Sequence, residues 1–411
     1  MRIVHIANFY GPRSGGIRTA MHAMATQYLR HGHEPVLVVP GERDSVAHRD
    51  GVRLITVAAP RAPFSGGYRV VVRPGKVRRL LEALEPDRLE VSDRTTLTSL
   101  GDWARAEGVP SLAMLHERVD GVLRAWFPGS RPDGPVAAMR ASAAPRFADR
   151  YNLATLPRFD RLVATTAFAA GEVERLRHRT RSVELPPLTR VPLGVDLELF
   201  RPDRYDDDFR AQYAEPGTTL IVTASRISQE KRVDLAVDAA AQVMRDGRRV
   251  RLVVAGAGPL LPAMRDRATA AGLPHKFLSF VPDRERLATL LSCADVVVAP
   301  GPIETFGLAA LEALASGTPV VCSSTSALPE VVGTAGAAAP PDPAALAVAI
   351  HDVLDRDPVR RRAGARSRAE LFPWSATGEA MLALHGRRSF EDVPGIPATS
   401  INDVALAANQ P

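Results

Sequence analysis

The sequence has little cysteine and no long apolar run. Cys293 and Cys322 are the only cysteines among its 411 residues, too few for a disulfide framework or a cysteine-ligated metal site. Each adjoins an apolar stretch, so we expect two small, buried side chains in a reducing compartment. No stretch approaches the roughly 18 consecutive apolar residues of a membrane-spanning helix, and no transmembrane segment is expected.

A secretion signal and a strong excess of one charge are also missing. The opening residues, MRIVHIANFY, alternate like a strand and lack the apolar core and cleavage site of a signal peptide. A cytosolic protein is therefore expected, with peripheral membrane contact left open. The chain has 52 Lys and Arg residues against 46 Asp and Glu residues, a net charge of +6. This mild basic excess suits phosphate ligands or an anionic membrane surface and does not indicate nucleic acid.

The sequence does contain an alternating pattern of predicted strands and helices, and this pattern occurs twice. Apolar runs bounded by turn residues alternate with helical patterns, which predicts parallel sheets with ligands at the carboxyl ends of the strands. In the first half, strands are predicted at 2–9, 34–40, 52–57, 88–92, 110–115 and 161–166, and a helix at 16–32. In the second half, strands are predicted at 218–225, 251–258, 276–281, 295–300 and 318–324, and helices at 233–247, 259–272, 283–294, 304–316 and 343–356.

This repeat predicts an α/β protein with two Rossmann-like, doubly wound parallel-sheet domains facing each other across a cleft, the usual place for a ligand. A chain of 411 residues also exceeds what one core commonly serves. The predicted domains are 1–190 and 209–371, and the Pro- and Asp-rich segment 191–208 is the predicted hinge linker. The Pro/Gly/Ser-rich end, 386–411, is expected to be a disordered tail.

Two glutamates mark the segment GPIETFGLAALEALASGTPVV, residues 301–321. A helix is predicted to begin there near Phe306, at the carboxyl end of a parallel strand, where free amides bind anions. Thr305 is its predicted cap. A diphosphate on these amides would place a sugar near Glu304 and a ribose near Glu312, because carboxylates accept charge-assisted hydrogen bonds from hydroxyls. The alternative is that Glu312 is a solvated helix residue. The predicted donor-binding residues at the helix start are Thr305, Phe306, Gly307 and Leu308.

Two cations follow an earlier strand in the segment SRISQEKRVD, residues 225–234. Arg226 and Lys231 can converge on one anion, the first through a bidentate fork and the second as a point charge. A diphosphate leaving group needs its charge stabilised as the bond to the sugar breaks, and two fixed cations could replace a metal. The alternative is an exposed basic turn.

Glycine turns follow two of the predicted strands. Gly15 and Gly16 allow backbone amides to approach a phosphate closely, although Ile17 stands where a P-loop needs lysine, so a Walker site is rejected. Gly256 belongs to a second turn that lines the predicted cleft. Leu261 replaces the third glycine of a dinucleotide fingerprint there, which disfavours an oxidoreductase.

A histidine and an acidic triplet complete the candidates. His116 and Glu117 directly follow an apolar strand, where a histidine could hydrogen-bond a reacting sugar. The alternative is a capping or solvated histidine. The aspartates at 206–208 resemble the metal-binding motif of some sugar transferases, but they fall in the predicted linker. No metal site is therefore predicted.

Together these motifs resemble the retaining glycosyltransferases of family four, which have the two-Rossmann GT-B architecture. The resemblance spans about residues 1–385. Its motifs are the glycine turn Gly15–Gly16, His116, R-x4-K at Arg226 and Lys231, and E-x7-E at Glu304 and Glu312.

The resemblance implies a role for each motif. The two cations would bind the nucleotide diphosphate, the first glutamate the donor sugar and the second the ribose. The Gly16 amide would approach the phosphates, and His116 would support the reacting sugar. The turn at Val281 and Pro282 would recognise the base, and residues 372–385 would form a helix that crosses back onto the first domain.

Longer stretches are similar to the actinobacterial GDP-mannose-dependent mannosyltransferases that act on phosphatidylinositol mannosides. They include ANFYGPRSGGIRTA, LEVSDRTTLTSLG, HERVD and APGPIETFGLAALEALASGTPVV. This similarity implies metal-independent transfer of mannose from GDP-mannose to a lipid-linked acceptor at the inner membrane face. The segment 126–147 and the longer tail depart from that family, so the acceptor stays open.

Some observations on the acceptor side come from the residues themselves. Basic residues surround RVVVRPGKVRRL, and Trp126 and Phe127 lie near Arg124, a composition that suits anionic lipid. A solvated surface is the alternative. Three other functions remain open: a transferase for another nucleotide sugar or acceptor, a sugar-nucleotide epimerase, and a non-catalytic sugar-nucleotide-binding regulator.

Overall fold

The computed structural model describes residues 1–11, 15–62, 67–116, 119, 135–180 and 183–386. The predicted tail beyond Gly386, the aromatic pair Trp126 and Phe127, and Glu117 lie outside the described residues. Within the described ranges, no helix is both long and apolar enough to cross a bilayer.

The first half of the chain forms an eight-stranded sheet in the order β3-β4-β2-β1-β5-β6-β7-β8 within the described residues. Neighbouring strands are parallel, except for the antiparallel pair β3 and β4. The strands are β1 Arg2–Ala7, β2 Glu34–Gly41, β3 Ser45–Arg49, β4 Val52–Ala58, β5 Arg88–Ser92, β6 Ser111–Leu115, β7 Arg161–Ala164 and β8 Leu188–Arg190.

The second half forms a parallel six-stranded sheet in the order β11-β10-β9-β12-β13-β14 within the described residues. The strands are β9 Thr219–Ala224, β10 Val250–Ala255, β11 His275–Ser279, β12 Val296–Ala299, β13 Val320–Ser323 and β14 Ala337–Ala339. In each sheet the strand order reverses beside the first strand. The strands next to β1 are β2 and β5, and those next to β9 are β10 and β12. Ligands of doubly wound folds bind at the carboxyl ends of such strands.

Helices connect the strands. In the first half they are α1 Gly16–Arg30, α2 Pro74–Leu84, α3 Leu100–Ala106, α4 Pro135–Thr155 and α5 Ala167–Arg179. From the linker onward they are α6 Asp207–Ala211, α7 Val233–Arg245, α8 Leu261–Ala270, α9 Arg284–Cys293, α10 Leu308–Ala315, α11 Leu328–Val332, α12 Pro343–Asp355, α13 Pro358–Ala369 and α14 Trp374–His385.

One buried cluster joins the two halves. It contains Met24 of α1, Leu311 of α10, and Trp374 and Met381 of α14. The last helix of the second half thus packs against the first helix of the chain, within the segment predicted to cross back. Glycine is needed where the chain passes this helix, because a Cβ atom on Gly194 would lie 2.5 Å from the Trp374 amide nitrogen.

The predicted fold class is confirmed, and the strands that were missed share a reason. Strand β3 is exposed along its whole length and has no apolar alternation, while β8 and β14 have three residues each. Such edge strands exist because a neighbouring strand offers free backbone groups, which hydrophobic periodicity does not report.

Candidate active site

The predicted cations and the first glutamate meet at the carboxyl ends of β9 and β12. Lys231 Nζ forms an ion pair with Glu304 Oε2, and both side chains are about a quarter exposed. Arg226 forms its ion pair with a different carboxylate: its Nη2 lies 2.7 Å from Glu230 Oε1. The two cations therefore border the same opening but are held by different partners.

Arg226 also reaches the first half of the molecule. Its guanidinium carbon lies 5.5 Å from the centre of the Tyr68 ring, a cation–π distance. Tyr68 contacts Phe9 edge-on, with 6.3 Å between the ring centres. Because Phe9 follows β1, this contact places Arg226 opposite the carboxyl end of the first sheet, so the opening lies between the two sheets.

The helix that carries Glu312 begins later than predicted. Gly307 is its first flanking residue, with φ of 87° in the left-handed region, and the helix runs from Leu308 to Ala315. The predicted cap at Thr305 and start at Phe306 are therefore wrong. Glycine at 307 is doubly required, since a Cβ atom there would also lie 2.2 Å from Leu328 Cδ2. The amides at the helix start still have no intrahelical acceptor by geometry.

Thr305 instead bridges the two halves. Its hydroxyl donates to the carbonyl of His116, and its own carbonyl accepts from the Thr166 hydroxyl at 2.9 Å. Phe306 turns into the core, where it is 4% exposed and meets Phe372 edge-on at 6.3 Å. Of these two predicted donor-binding residues, Thr305 is therefore an interdomain contact and Phe306 a packing residue.

Glu312 is buried, which contradicts the alternative of a solvated helix residue. It is 7% exposed, and Arg284 Nη2 donates to its Oε1 at 2.9 Å. Burial raises the pKa of the Glu312 carboxyl above its usual range, and the Arg284 charge partly offsets this shift. Arg284 is the first residue of α9, and its ion pair holds the carboxylate facing the same end of the sheet.

Steric crowding explains the glycine at 256 but not the glycines at 15 and 16. A Cβ atom on Gly256 would lie 1.7 Å from the Ser225 carbonyl oxygen, so packing between the ends of β9 and β10 accounts for this residue. At Gly15 and Gly16 a Cβ atom would meet nothing within 4 Å. These two glycines are exposed at the start of α1, and no neighbouring described atom imposes glycine on them.

His116 lies just past the end of β6, half-buried and hydrogen-bonded. Its Nε2 lies 2.9 Å from the hydroxyl of Ser92 at the end of β5. Burial lowers its pKa to about 4, helped by the nearby His5 and opposed by Glu90. The ring is therefore neutral at physiological pH and can form a hydrogen bond without carrying charge.

The other residues singled out in the sequence are the turn at Val281 and Pro282, the acidic triplet 206–208 and the two cysteines. Val281 is half-buried and Pro282 exposed, between β11 and α9. Asp206 caps α6 by accepting from the Phe209 amide at 2.8 Å, so it has a structural role. Cys293 and Cys322 are buried free thiols.

Four site residues were missed from the sequence. They are Tyr68, Ser92, Thr166 and Arg284. Only Arg284 carried a signal, because a cation in the first turn of a helix opposes the helix dipole and calls for a compensating carboxylate. The other three become site residues only once the sheets are assembled.

The chain matches two family models. One, described as "Glycosyl transferase 4-like domain", covers residues 15–189, and the other, "Glycosyl transferases group 1", covers residues 205–370. A Mycobacterium tuberculosis protein named GDP-mannose-dependent alpha-(1-6)-phosphatidylinositol dimannoside mannosyltransferase is 46% identical over 388 residues, which are 94% of this chain and 96% of that protein. D-inositol 3-phosphate glycosyltransferase 1 from Catenulispora acidiphila is 34% identical over 72% of this chain and 70% of that protein.

Solved structures show the same fold. Sucrose-phosphate synthase from Thermosynechococcus elongatus superimposes with a TM-score of 0.72 over 94% of this chain and 98% of its own, at 21% sequence identity. Two facing parallel sheets and a helix that returns to the first of them are the GT-B arrangement. With both family models and a close relative along nearly its whole length, this chain belongs to the group 1 glycosyltransferases and is a glycosyltransferase with the GT-B fold.

Proposed function

We propose that this enzyme transfers mannose from GDP-mannose to a phosphatidylinositol mannoside or a related lipid acceptor, with retention at the anomeric carbon and without a metal. The observation that carries this proposal is the 46% identity over 94% of the chain to the mycobacterial dimannoside mannosyltransferase. The site supports it because both cations, both glutamates and the glycine turn lie at carboxyl ends of the two sheets.

The donor is assigned to the second sheet. Its diphosphate would take the place of Glu304 beside Lys231 and accept from the free amides at Leu308. Gly15 and Gly16 would approach the phosphates from the first sheet. A Cβ atom on either glycine would have no described atom within 4 Å. The ribose hydroxyls would bind Glu312, which Arg284 holds at 2.9 Å. The turn at Val281 and Pro282 would meet the base.

The chemical step follows from these placements. The bond between the anomeric carbon and the phosphate oxygen breaks, and its electron pair goes to the diphosphate, whose growing charge Lys231 and Arg226 stabilise. The acceptor hydroxyl attacks from the same face and gives its proton to the leaving phosphate oxygen. A front-face route is proposed by analogy with the retaining glycosyltransferases that the motifs resemble. Neutral His116 would donate or accept one hydrogen bond with the sugar.

A cleft at the carboxyl edge of the first sheet suits the lipid acceptor. It encloses about 470 Å³, and apolar residues line it together with Glu42, Arg73 and Lys76. Val72 in this lining is 56% exposed, and Lys76 pairs with Asp44 at 2.6 Å. The apolar lining and the Arg73 charge suit the glycerol and phosphate of an anionic lipid. Binding there would bring the enzyme to the cytoplasmic face of the membrane as a peripheral protein.

The test supplies purified enzyme with labelled GDP-mannose or UDP-glucose, with and without actinobacterial lipid extract. Mannose should pass from GDP-mannose to a phosphatidylinositol mannoside, and the other donor should label no lipid. Labelling from UDP-glucose alone would overturn the donor. Release of an altered sugar from GDP-mannose without lipid would instead identify an epimerase.

A matched pair of variants ties the activity to the site. Lys231→Met should lower kcat/KM by about 10²- to 10³-fold, the loss expected when one preorganised group no longer stabilises a leaving group. Lys276→Met removes an exposed lysine from β11 and should retain the parent activity. Equal activity of the two variants would contradict the assigned role of Lys231.

A further inference from the structure

The arginine that holds Glu312 also lies against an aromatic residue of the predicted linker. Arg284 is the first residue of α9, and its guanidinium carbon lies 5.1 Å from the centre of the Phe200 ring. This is a cation–π distance. The same guanidinium donates to Glu312 Oε1 at 2.9 Å. One arginine side chain therefore contacts both the segment 191–208 and a predicted donor-binding residue.

The three side chains differ in their freedom to move. Phe200 is 0% exposed and the Glu312 side chain 10% exposed, whereas the Arg284 side chain is 42% exposed. A partly exposed arginine has many accessible rotamers and loses that freedom when it is held in one of them. An ion pair near the surface offsets this loss only weakly. Contact with a fixed aromatic ring therefore helps to determine where this guanidinium lies.

The ring is fixed because its backbone is tied to the helix that carries Glu312. Arg366 Nη1 of α13 lies 3.1 Å from the Leu197 carbonyl oxygen and 2.8 Å from the Phe200 carbonyl oxygen, both in the linker. The same nitrogen lies 3.1 Å from the carbonyl oxygen of Ala315, the last residue of α10. The ring and the carboxylate that hold the arginine therefore belong to one connected unit.

We infer that Phe200 is a positioning residue for nucleotide binding, whose ring holds the Arg284 guanidinium against Glu312 so that the carboxylate is presented to the ribose. The inference rests on the proposed function only in taking Glu312 to bind the ribose. The contact between the ring and the guanidinium is a property of the free enzyme. The segment between the two sheets thus contributes to the donor site as well as connecting the two halves.

The charge on Arg284 gives this contact a measurable consequence without any ligand. Burial raises the pKa of the Glu312 carboxyl, the Arg284 charge lowers it, and the Asp196 charge raises it further. Arg362 and Arg366 also approach α10, but at its carboxyl end, where their guanidinium nitrogens face carbonyl oxygens. A guanidinium that moves away from Glu312 therefore leaves its carboxyl with a higher pKa.

Titration followed by ¹³C spectra of the glutamate carboxyls measures this pKa, with the Glu312 signal assigned by its loss in Glu312→Gln. Phe200→Leu removes the aromatic ring and keeps an apolar side chain, and the Glu312 pKa should rise above the parent value. The rise should be absent when Phe200→Leu is combined with Arg284→Met, because the ring then has no guanidinium to hold. This double-mutant comparison separates an effect through the arginine from a general change in packing.

Phe277→Leu is the matched control. The Phe277 ring of β11 is 6% exposed and lies 5.9 Å from the guanidinium carbon of Arg265, so the same change is made at another buried ring beneath an arginine. The Glu312 pKa and the GDP affinity of this variant should equal those of the parent.

A second variant at residue 200 guards against a failure of Phe200→Leu to fold. Trifluorophenylalanine in place of Phe200 keeps the shape of the ring and weakens the negative potential of its face. The Glu312 pKa should rise in this variant too, by a smaller amount, and only while Arg284 is present. This variant decides the matter if Phe200→Leu does not fold.

Calorimetric titration of GDP supplies the second readout. Phe200→Leu should raise the Kd by about two- to fivefold, the equivalent of one cation–π contact, and by less than about 1.5-fold when combined with Arg284→Met. A Glu312 pKa that stays at the parent value in both variants at residue 200, or that rises equally with and without Arg284, would overturn the inference. If the pKa rises as predicted while Glu312→Gln binds GDP as tightly as the parent, the ribose assignment of the proposed function is refuted and the positioning of Arg284 stands.

Discussion

Arg284 and Glu312 show how a buried carboxylate is kept ready for a ligand. Burial raises the pKa of Glu312, and Arg284 opposes that shift. The glutamate was predictable from its spacing after Glu304, whereas the position of Arg284 in the first turn of a helix indicates only that it needs a carboxylate, not which one. An ion pair between α9 and α10 depends on how two helices pack, and no local pattern in the sequence reports that.

Removing this arginine should change how nucleotide binding depends on pH. Ribose recognition needs the ionised carboxylate, whose population falls as pH falls through the Glu312 pKa. In Arg284→Met that pKa rises further, so GDP affinity should begin to fall at a higher pH than in the parent, and affinity at neutral pH should drop by about 1–2 kcal/mol. Calorimetric titration of GDP from about pH 5 to 8 measures both effects. Arg265→Met is the control, since Arg265 lies over the Phe277 ring and forms no contact with Glu312. Parallel affinity curves for Arg284→Met and the parent would contradict the account.

Strand ends and turns determine where the site residues stand. The apolar runs that became β1, β5, β9 and β12 were predicted from their composition, because central parallel strands are buried on both faces. The start of α10 was misplaced by two residues. Thr305 is a good cap by sequence, yet its hydroxyl is committed to the His116 carbonyl, and a left-handed glycine takes over the helix start. At this helix start, a contact between distant parts of the chain outweighs the preference of threonine for the cap position.

The close approach of β9 and β10 gives a direct test at Gly256. Gly256→Ala would force a Cβ atom within 1.7 Å of the Ser225 carbonyl oxygen, so the ends of both strands must shift. We expect a loss of about 3 kcal/mol in the free energy of unfolding, measured by denaturant titration. Gly364→Ala is the matched control in α13, where a Cβ atom would meet nothing within 4 Å. It should gain about 0.5–1 kcal/mol through helix propensity. Equal stability of the two variants would refute the packing explanation.

Contacts between the two sheets hold the molecule in the arrangement seen here. Glu330 of α11 accepts from the Ala167 amide at 2.8 Å, at the start of α5. The neighbouring Thr166 donates to the Thr305 carbonyl. Thr305 directly follows Glu304, so the same turn that carries a donor-site residue also joins the two halves. Two tandem domains were predictable from the repeated rhythm, but these joining residues were not, since they belong to neither domain's own pattern.

Weakening this junction should favour a more open molecule. Glu330→Ala removes the acceptor at the start of α5, which should shift the balance between open and closed forms by about 1 kcal/mol, or roughly fivefold. Small-angle scattering should then show a larger radius of gyration in the free enzyme and the parent value once GDP is bound. Glu379→Ala removes an exposed glutamate from α14 and serves as the control. A radius that does not differ from the parent would show that this contact does not maintain the closed arrangement.

A crystal structure of the enzyme with GDP would show where the diphosphate binds. We predict diphosphate oxygens at hydrogen-bond distance, about 3 Å, from both Lys231 Nζ and the Leu308 amide, with Lys231 released from Glu304 and the ribose on Glu312. A diphosphate bound away from Lys231 and from the start of α10 would contradict the account.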